Sequence, residues 1–258
     1  MSAWDPDQYE RFASERAAPF FDLLALIEPL DSPRVVDLGC GTGELTAQAH
    51  HRLRARQTIG IDNSSTMLNR AHELHVDGVT FEHGDIASFG PDRPFEVVLS
   101  NAALQWLPDH AAVLSRWSRA LTDGGQLAVQ LPSNADHPSH VVAAELAAES
   151  PFVDAFNGDP PPDPTARVLA PEVYAEILES LAFSKQHVRL QVYPHHLASS
   201  AEVVEWVKGT SLTRIQSRLT PDLYEHFVDV YRDRLLDRIG DKQPYFYSFK
   251  RILFWARR

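Results

Sequence analysis

The chain has 258 residues, 44% of them hydrophobic, enough to bury a sizeable core as one large domain or two small ones. Its formal net charge of −11 argues against DNA or RNA as the main partner, because neutralising phosphates takes a basic stripe that the sequence lacks. No apolar run approaches the ~20 residues of a membrane helix, the opening Met1–Asp7 has no signal-peptide pattern, and the single cysteine, Cys40, excludes an intramolecular disulfide; a cytoplasmic, monomeric protein away from membranes is expected.

Residues 1–30 read as a helical cap. Tyr9, Phe12 and Ala13 lie at helical spacing, and Pro19 marks a second helix start, followed by Phe21, Leu24 and Ile27. Val35-Val36-Asp37-Leu38 is a short apolar run of the kind found in buried parallel strands, and it runs into Gly39, Gly41 and Gly43 at alternate positions. Leu45, Ala49 and Leu53 then repeat at a helical interval. Strand, glycine turn and helix hold nucleotide-like ligands at the carboxyl edge of an open α/β sheet. Asp37 sits just before the turn, where it would repel a pyrophosphate and attract a cation, and the spacing is G-x-G-x-G instead of the dinucleotide G-x-G-x-x-G. Cys40 reads as a small buried filler in preference to a reactive thiol.

A second strand, Thr58–Asp62, ends in an acid about 20 positions after Gly43, where nucleotide-binding α/β folds place a carboxylate on ribose hydroxyls. Ser64-Ser65 starts a helix with Met67, Leu68, Ala71 and Leu74 on one face. A third strand covers Val79–His83, followed by Gly84-Asp85-Ile86, and a fourth covers Phe95–Leu99, followed by Ser100-Asn101-Ala102-Ala103-Leu104-Gln105-Trp106. The next helix carries Val113, Leu114, Trp117 and Leu121, is closed by Gly124-Gly125, and leads to a fifth strand, Gln126–Leu131. Strand–helix alternation over 34–131 predicts a doubly wound, Rossmann-like parallel sheet. Beyond it lie a Pro-rich loop at 159–164, a helix from Pro171 to Leu181, a strand over Val188–Tyr193, helical segments with Val203, Trp206 and Val207 and with Leu223, Phe227, Tyr231 and Leu235, and a last strand over Tyr247–Ala256. The helices of 199–240 would form a lid interrupting the final strands. The 12 histidines give no metal site by spacing: His50-His51 and His195-His196 are adjacent and point apart, and His137 with His140 has no acid or cysteine at ligand spacing.

The stretch Val35–Gly43 resembles motif I of the class I S-adenosyl-L-methionine (SAM) methyltransferases. Away from that core, Trp4-Asp5-Pro6-Asp7-Gln8-Tyr9, Ser100–His110, Ala128–Pro132, Pro138-Ser139-His140, Glu205-Trp206-Val207-Lys208-Gly209-Thr210 and Phe249–Phe254 are similar to one family, the trans-aconitate methyltransferases. The chain departs from that family at Asp237–Pro244, where a Pro-Pro-Arg-Ala-Asp-Gly type of segment is usual. The resemblance implies an α/β fold with a mostly parallel sheet, an antiparallel last strand and a helical lid. It further implies SAM-dependent transfer of a methyl group to a carboxylate of a small polycarboxylic acid, with S-adenosyl-L-homocysteine as product and no metal.

The residues expected around SAM are Asp37, Gly39, Cys40, Gly41, Gly43, Asp62, Asn63, Met67, Asp85, Ile86, Asn101, Ala102, Leu104 and Trp106. Of these, Asp85 faces the adenine amine in the methyltransferase pattern. The residues expected around the acid are Trp4, Tyr9, Arg16, Gln105, His140, Trp206, Lys208, Tyr247 and Arg251. Alternation along the last strand lets only one of Lys250 and Arg251 be buried, and the family's closing motif favours Arg251. A carboxylate is already ionised at neutral pH, so no catalytic base is required. Three other readings remain: a hydroxyl or amine acceptor served by His137, His140 or His195; a SAM-binding protein without turnover; and, weakest, a nicotinamide dehydrogenase.

Overall fold

The computed structural model describes the backbone from residue 13 and side chains from residue 17, through to residue 258. The expected sites at Trp4 and Tyr9, and the side chain of Arg16, lie outside the described residues. Contacts divide the described chain into two compact units, one of residues 16–132 with 168–191 and 251–258, the other built on residues 133–167 and 192–250.

The first unit opens with helix α1 (Ala13–Leu24), whose Phe20 and Leu23 are fully buried. Strand β1 (Arg34–Leu38) is buried from Val35 onward, on both faces, as a central parallel strand must be. Helix α2 (Glu44–Leu53), β2 (Gln57–Asp62), α3 (Ser65–Ala71), β3 (Val79–His83), β4 (Phe95–Asn101), α4 (His110–Arg119) and β5 (Leu121–Pro132) follow, helix and strand alternating except that a loop without a helix joins β3 to β4, with helix α7 (Pro171–Ser180) added later in the chain. Val36, Leu38, Val98, Leu114, Trp117, Leu127, Tyr174 and Phe254 form its core. Each such apolar side chain contributes about 1.5–3 kcal/mol on burial. Ser64 caps α3 by accepting from the Met67 N–H at 3.4 Å, and Asp109 caps α4 by accepting from the Ala112 N–H at 3.1 Å.

The other unit holds α5 (Pro138–Ala147), α6 (Phe152–Ala155), α8 (Glu202–Lys208), α9 (Thr213–Gln216) and α10 (Pro221–Ile239). Proline at the first turn starts α5 and α10. Val142, Leu146, Phe152, Trp206, Phe227, Tyr231, Leu235 and Tyr247 pack into one cluster. Strands β6 (Lys185–Leu197) and β7 (Tyr245–Arg257) run through both units. The seven strands take the order β3-β2-β1-β4-β5-β7-β6, with β1 to β5 parallel and β7 antiparallel to β5, as expected for the last strand.

Four local expectations are corrected. Pro19 lies inside α1 and does not begin a helix: the helix runs on past a residue that cannot donate. Leu74 lies beyond the end of α3. Gly124-Gly125 does not close α4, which ends at Arg119; both glycines, with Leu121, belong to β5. The pairing of β4 with β5 slips there, from Phe95↔Leu121 to Val97↔Gln126, so the glycines form an irregularity inside a strand five residues longer at its start than the apolar run suggests. Helix α5 was not anticipated, since its mostly apolar sequence has little amphipathic period.

Candidate active site

The register places Asp37 opposite Gly60 of β2 and Leu99 of β4, so the carboxyl ends of three parallel strands lie side by side. The glycine turn leaves β1 across the end of β2, where the N–H groups of Gly39 and Cys40 both donate to the Ile61 carbonyl, at 2.8 and 3.1 Å. The glycines differ in what surrounds them. A Cβ on Gly39 would lie 2.2 Å from the Cβ of Ala103, and one on Gly43 would lie 2.5 Å from the Phe81 ring. Gly41, at φ +56°, has nothing within 4 Å of that position, so the turn meets open space there and a ligand can approach the backbone.

Asp37 is 3% exposed. One carboxylate oxygen, Oδ2, accepts from Thr46 Oγ1 at 2.6 Å, and the other, Oδ1, is buried without a hydrogen-bond partner among the described residues. Burial raises its pKa to about 7 against the opposing Thr46 bond, and the nearby Asp62 charge pushes in the same direction as burial. An acid so placed gains most from a positively charged ligand, which would both fill Oδ1 and hold the group ionised. Burial likewise pushes the Cys40 thiol far up, with the Asp37 and Asp62 charges adding to it, which is the behaviour of an inert filler.

Asp62 is held from two sides: Oδ2 accepts from the Gly41 N–H at 2.9 Å and Oδ1 from the Ser64 N–H at 2.8 Å. Each oxygen keeps a lone pair for a further donor. The Asn63 carbonyl meets His83 Nε2 at 3.1 Å, and Met67 is buried on α3. Asp85 is exposed past the end of β3, with Oδ1 accepting from the Ala87 N–H at 2.9 Å. Ile86 is buried, and its carbonyl accepts from Trp117 Nε1 at 2.8 Å. At the end of β4, Ser100 Oγ donates to the Leu38 carbonyl at 2.8 Å, which ties that end to the glycine turn. Asn101 Oδ1 is buried with no hydrogen-bond partner among the described residues, and Ala102 takes φ +54°, uncommon for a residue with a side chain. Leu104 and Trp106 lie on a short 3₁₀ turn, Leu104 fully buried. All fourteen residues expected around SAM therefore lie in one unit, along the carboxyl ends of β1, β2, β3 and β4.

The residues expected around the acid are spread over both units. Gln105 is buried and donates from Nε2 to the Ala102 carbonyl at 2.7 Å. Arg251, opposite Pro132 in the β5–β7 register, is 5% exposed and donates from Nη1 to Gln130 Oε1 at 3.3 Å. Its neighbour Lys250 points the other way, to Asp136 at 2.6 Å. Trp206 and Tyr247 pack edge to face with ring centres 5.6 Å apart, both essentially buried. Lys208 pairs with Glu205 one helical turn earlier, at 3.2 Å, so its charge is matched locally. His137 caps α5 by accepting the Ser139 N–H at Nδ1, and burial lowers its pKa to about 4.

His140 does have an acidic partner, contrary to the spacing argument. Asp163, from the Pro-rich loop, meets its Nδ1 at 2.8 Å, both side chains under 10% exposed. Asp163 also accepts from the N–H and Oγ1 of Thr165, at 2.8 and 2.6 Å. Burial alone would raise its pKa; the His140 bond and charge, then Thr165 and Arg214, outweigh burial and bring it to about 2. Arg214 of α9 completes this cluster. The sequence reading passed over Asp163, Thr165 and Arg214. The signal available was Arg214 itself, a cation flanked by Leu212 and Ile215.

Residues 30–176 match a family described as a methyltransferase domain. Relatives matched over nearly their whole length include three named trans-aconitate 2-methyltransferase: a protein of Deinococcus radiodurans is 41% identical over 99% of this chain and 98% of its own length, one of Mycobacterium sp. 37% over 98% and 99%, and one of Acidovorax ebreus 34% over 100% and 99%. Among solved structures, the fold is shared with YcgJ of Bacillus subtilis (TM-score 0.59, 17% identity, 94% of this chain and 98% of that one) and with a putative methyltransferase of Bacillus halodurans (TM-score 0.58, 15% identity, 93% and 98%).

Proposed function

This chain belongs to the trans-aconitate 2-methyltransferase family, and on that premise we propose that it moves the methyl group of SAM onto a carboxylate oxygen of a small polycarboxylate such as trans-aconitate, leaving a methyl ester and S-adenosyl-L-homocysteine. The observation that carries the donor half is the unfilled, buried Oδ1 of Asp37 beside the open face of Gly41. That pairing suits a ligand with a cationic end and a backbone-hugging chain. It does not suit a pyrophosphate.

SAM, when bound, supplies a methyl group activated by a sulfonium. The chain's own residues do the rest. Asp37 faces the cationic end; Gly39, Cys40, Gly41 and Gly43 shape the trough for the methionine part. Asp62, already fixed by the Gly41 and Ser64 amides, receives the ribose hydroxyls on its remaining lone pairs, with Asn63 and Met67 beside it. Asp85 and Ile86 hold adenine, and Asn101, Ala102, Leu104 and Trp106 border the donor end. On the acceptor side, Arg251 and Gln105 capture and orient the acid.

The nucleophile is an oxygen that is ionised before it binds, so no proton has to be removed. Alignment and exclusion of water are then the chain's contribution, and alignment alone can supply about 7–11 kcal/mol. The rival reading, a hydroxyl acceptor with a histidine base, is weakened at His137, whose Nδ1 is spent on a helix cap and whose pKa lies near 4, low for a base working at neutral pH.

Among the described residues no helix is long and apolar enough to cross a membrane. A cytoplasmic, monomeric enzyme without a nucleic-acid partner completes the proposal; the charge of −11 and the lone buried cysteine support it. The test is incubation with SAM and a panel of di- and tricarboxylic acids, phenols and amines, read by mass spectrometry for a gain of one methylene. Methylation of trans-aconitate or a close analogue is expected; methylation confined to phenols or amines would overturn the reading.

A further inference from the structure

A guanidinium carries five N–H donors on a planar fork, and its Nε–Nη2 edge matches the two oxygens of a carboxylate. In Arg214 that edge makes no hydrogen bond among the described residues. The side chain is 7% exposed, and neither Nε nor Nη2 has a hydrogen-bond partner there. The hydrogen bond it does make among them runs from Nη1 to the Pro161 carbonyl. Asp163 lies nearby, but its Oδ2 is 3.6 Å from Nη2, beyond hydrogen-bond range, and its oxygens are already claimed by Thr165 and His140. The phenol of Tyr231, close enough to affect both charges, donates its own proton to the Ser139 carbonyl at 2.9 Å. A buried charged group with unfilled donors is costly, and folded proteins leave few of them.

We propose that the Nε–Nη2 edge of Arg214 is a carboxylate-binding site and that it receives one carboxylate of the polycarboxylate acceptor. Thr165 and His140 hold Asp163, whose Oδ2 stands 3.6 Å from Nη2, and the Pro161 carbonyl holds Nη1, so the fork is fixed in place before a ligand arrives. The ligand class rests on the function proposed above; the site itself rests on the unfilled edge. Arg251 can then be tested against Arg214 as a second, separate capture residue.

The experiment pairs Arg214→Lys, which keeps the charge and loses the fork, with a measurement on the unaltered protein. For Arg214→Lys we expect the KM for trans-aconitate to rise about 30-fold, as loss of a charge-assisted bidentate contact implies, with the Kd for SAM within about twofold. In the unaltered protein, trans-aconitate should slow amide exchange at residues 161–166 and 211–217. An unchanged KM in Arg214→Lys, or absence of protection in those segments, overturns the Arg214 site while leaving methyl transfer intact. Should the variant fail to fold, the exchange measurement decides alone. If the unaltered protein methylates no acid yet binds trans-aconitate with protection at 161–166 and 211–217, the site stands and the proposed reaction falls. Neither binding nor turnover would overturn both.

Discussion

Replacing Asp37 by Asn should separate stability from cofactor binding. The folded protein holds the Asp37 proton with a pKa of about 7, against 3.8 for the ordinary group. An acid whose folded pKa is raised binds its proton more tightly in the native state, so the contribution of Asp37 to the stability of the cofactor-free protein is full below about pH 4 and is lost as pH climbs through 7. The gap is about 3 pH units, and at about 1.4 kcal/mol each the ionised side chain costs the empty protein about 4 kcal/mol at most, and about 2 if water enters to solvate it. Asn keeps the shape and can still accept from Thr46 with its oxygen, but carries no charge. Urea unfolding at pH 5, 6.5 and 8 should therefore show the native protein weakening with pH and Asp37→Asn holding level, more stable than the native protein at pH 8 by about 2–4 kcal/mol. SAM binding should move the other way: loss of one charge-assisted contact costs about 1.5–3 kcal/mol, a fall in affinity of about 10- to 150-fold by titration calorimetry. A variant no more stable at pH 8, or one that binds SAM as tightly as before, would refute the assignment of Asp37 as a buried anion kept for a cationic ligand.

Asp62→Ala should weaken SAM binding by about 1–3 kcal/mol in a folded protein, and unchanged affinity in calorimetry would remove Asp62 from the site. Arg251→Ala should raise the KM for the acid by at least about tenfold and leave SAM affinity nearly intact; an equal loss of both would place Arg251 in the sheet's structure and not on the acceptor. Cys40 should resist a thiol reagent at pH 8 in the native state and react at once in denaturant, since burial and two neighbouring carboxylates suppress its thiolate; rapid native labelling would contradict that.

The residues expected around SAM were legible because their logic is local. An apolar run, an acid, three glycines and a helix are one continuous stretch, and parallel pairing then brings Asp62, Asp85 and Asn101 to the same edge as a matter of strand order. The cluster of His140, Asp163 and Arg214 has no such local logic. Its members come from a helix start, a Pro-rich loop and a four-residue helix, and no periodicity links positions 140, 163 and 214. Loop composition hid Asp163, and burial, which a sequence does not print, is what distinguishes Arg214 from the surface arginines around it. The misplaced start of β5 has a physical cause too. Thr122-Asp123-Gly124-Gly125 has the composition of a turn, and only the pairing with Phe95 draws it into the sheet. Pro19 failed in the opposite direction, where a strong local rule was overridden by the helix around it.

The place of β7 bears on how the chain is made. Its residues 251–257 fill the edge of β5 from Gln126 to Pro132, yet they emerge more than a hundred residues later. At ~5–20 residues per second of synthesis, the apolar β5 waits roughly 6–24 s with a row of unpaired backbone groups and no neighbour on that side. The unit that holds β5 also draws its last segment, residues 251–258, from after this interval, so it cannot close while the interval lasts. The nascent chain therefore passes through a long window in which an apolar strand is open to pairing with another copy. Yield in expression should respond more to chaperones that shield such edges than to changes in the stability of the finished fold.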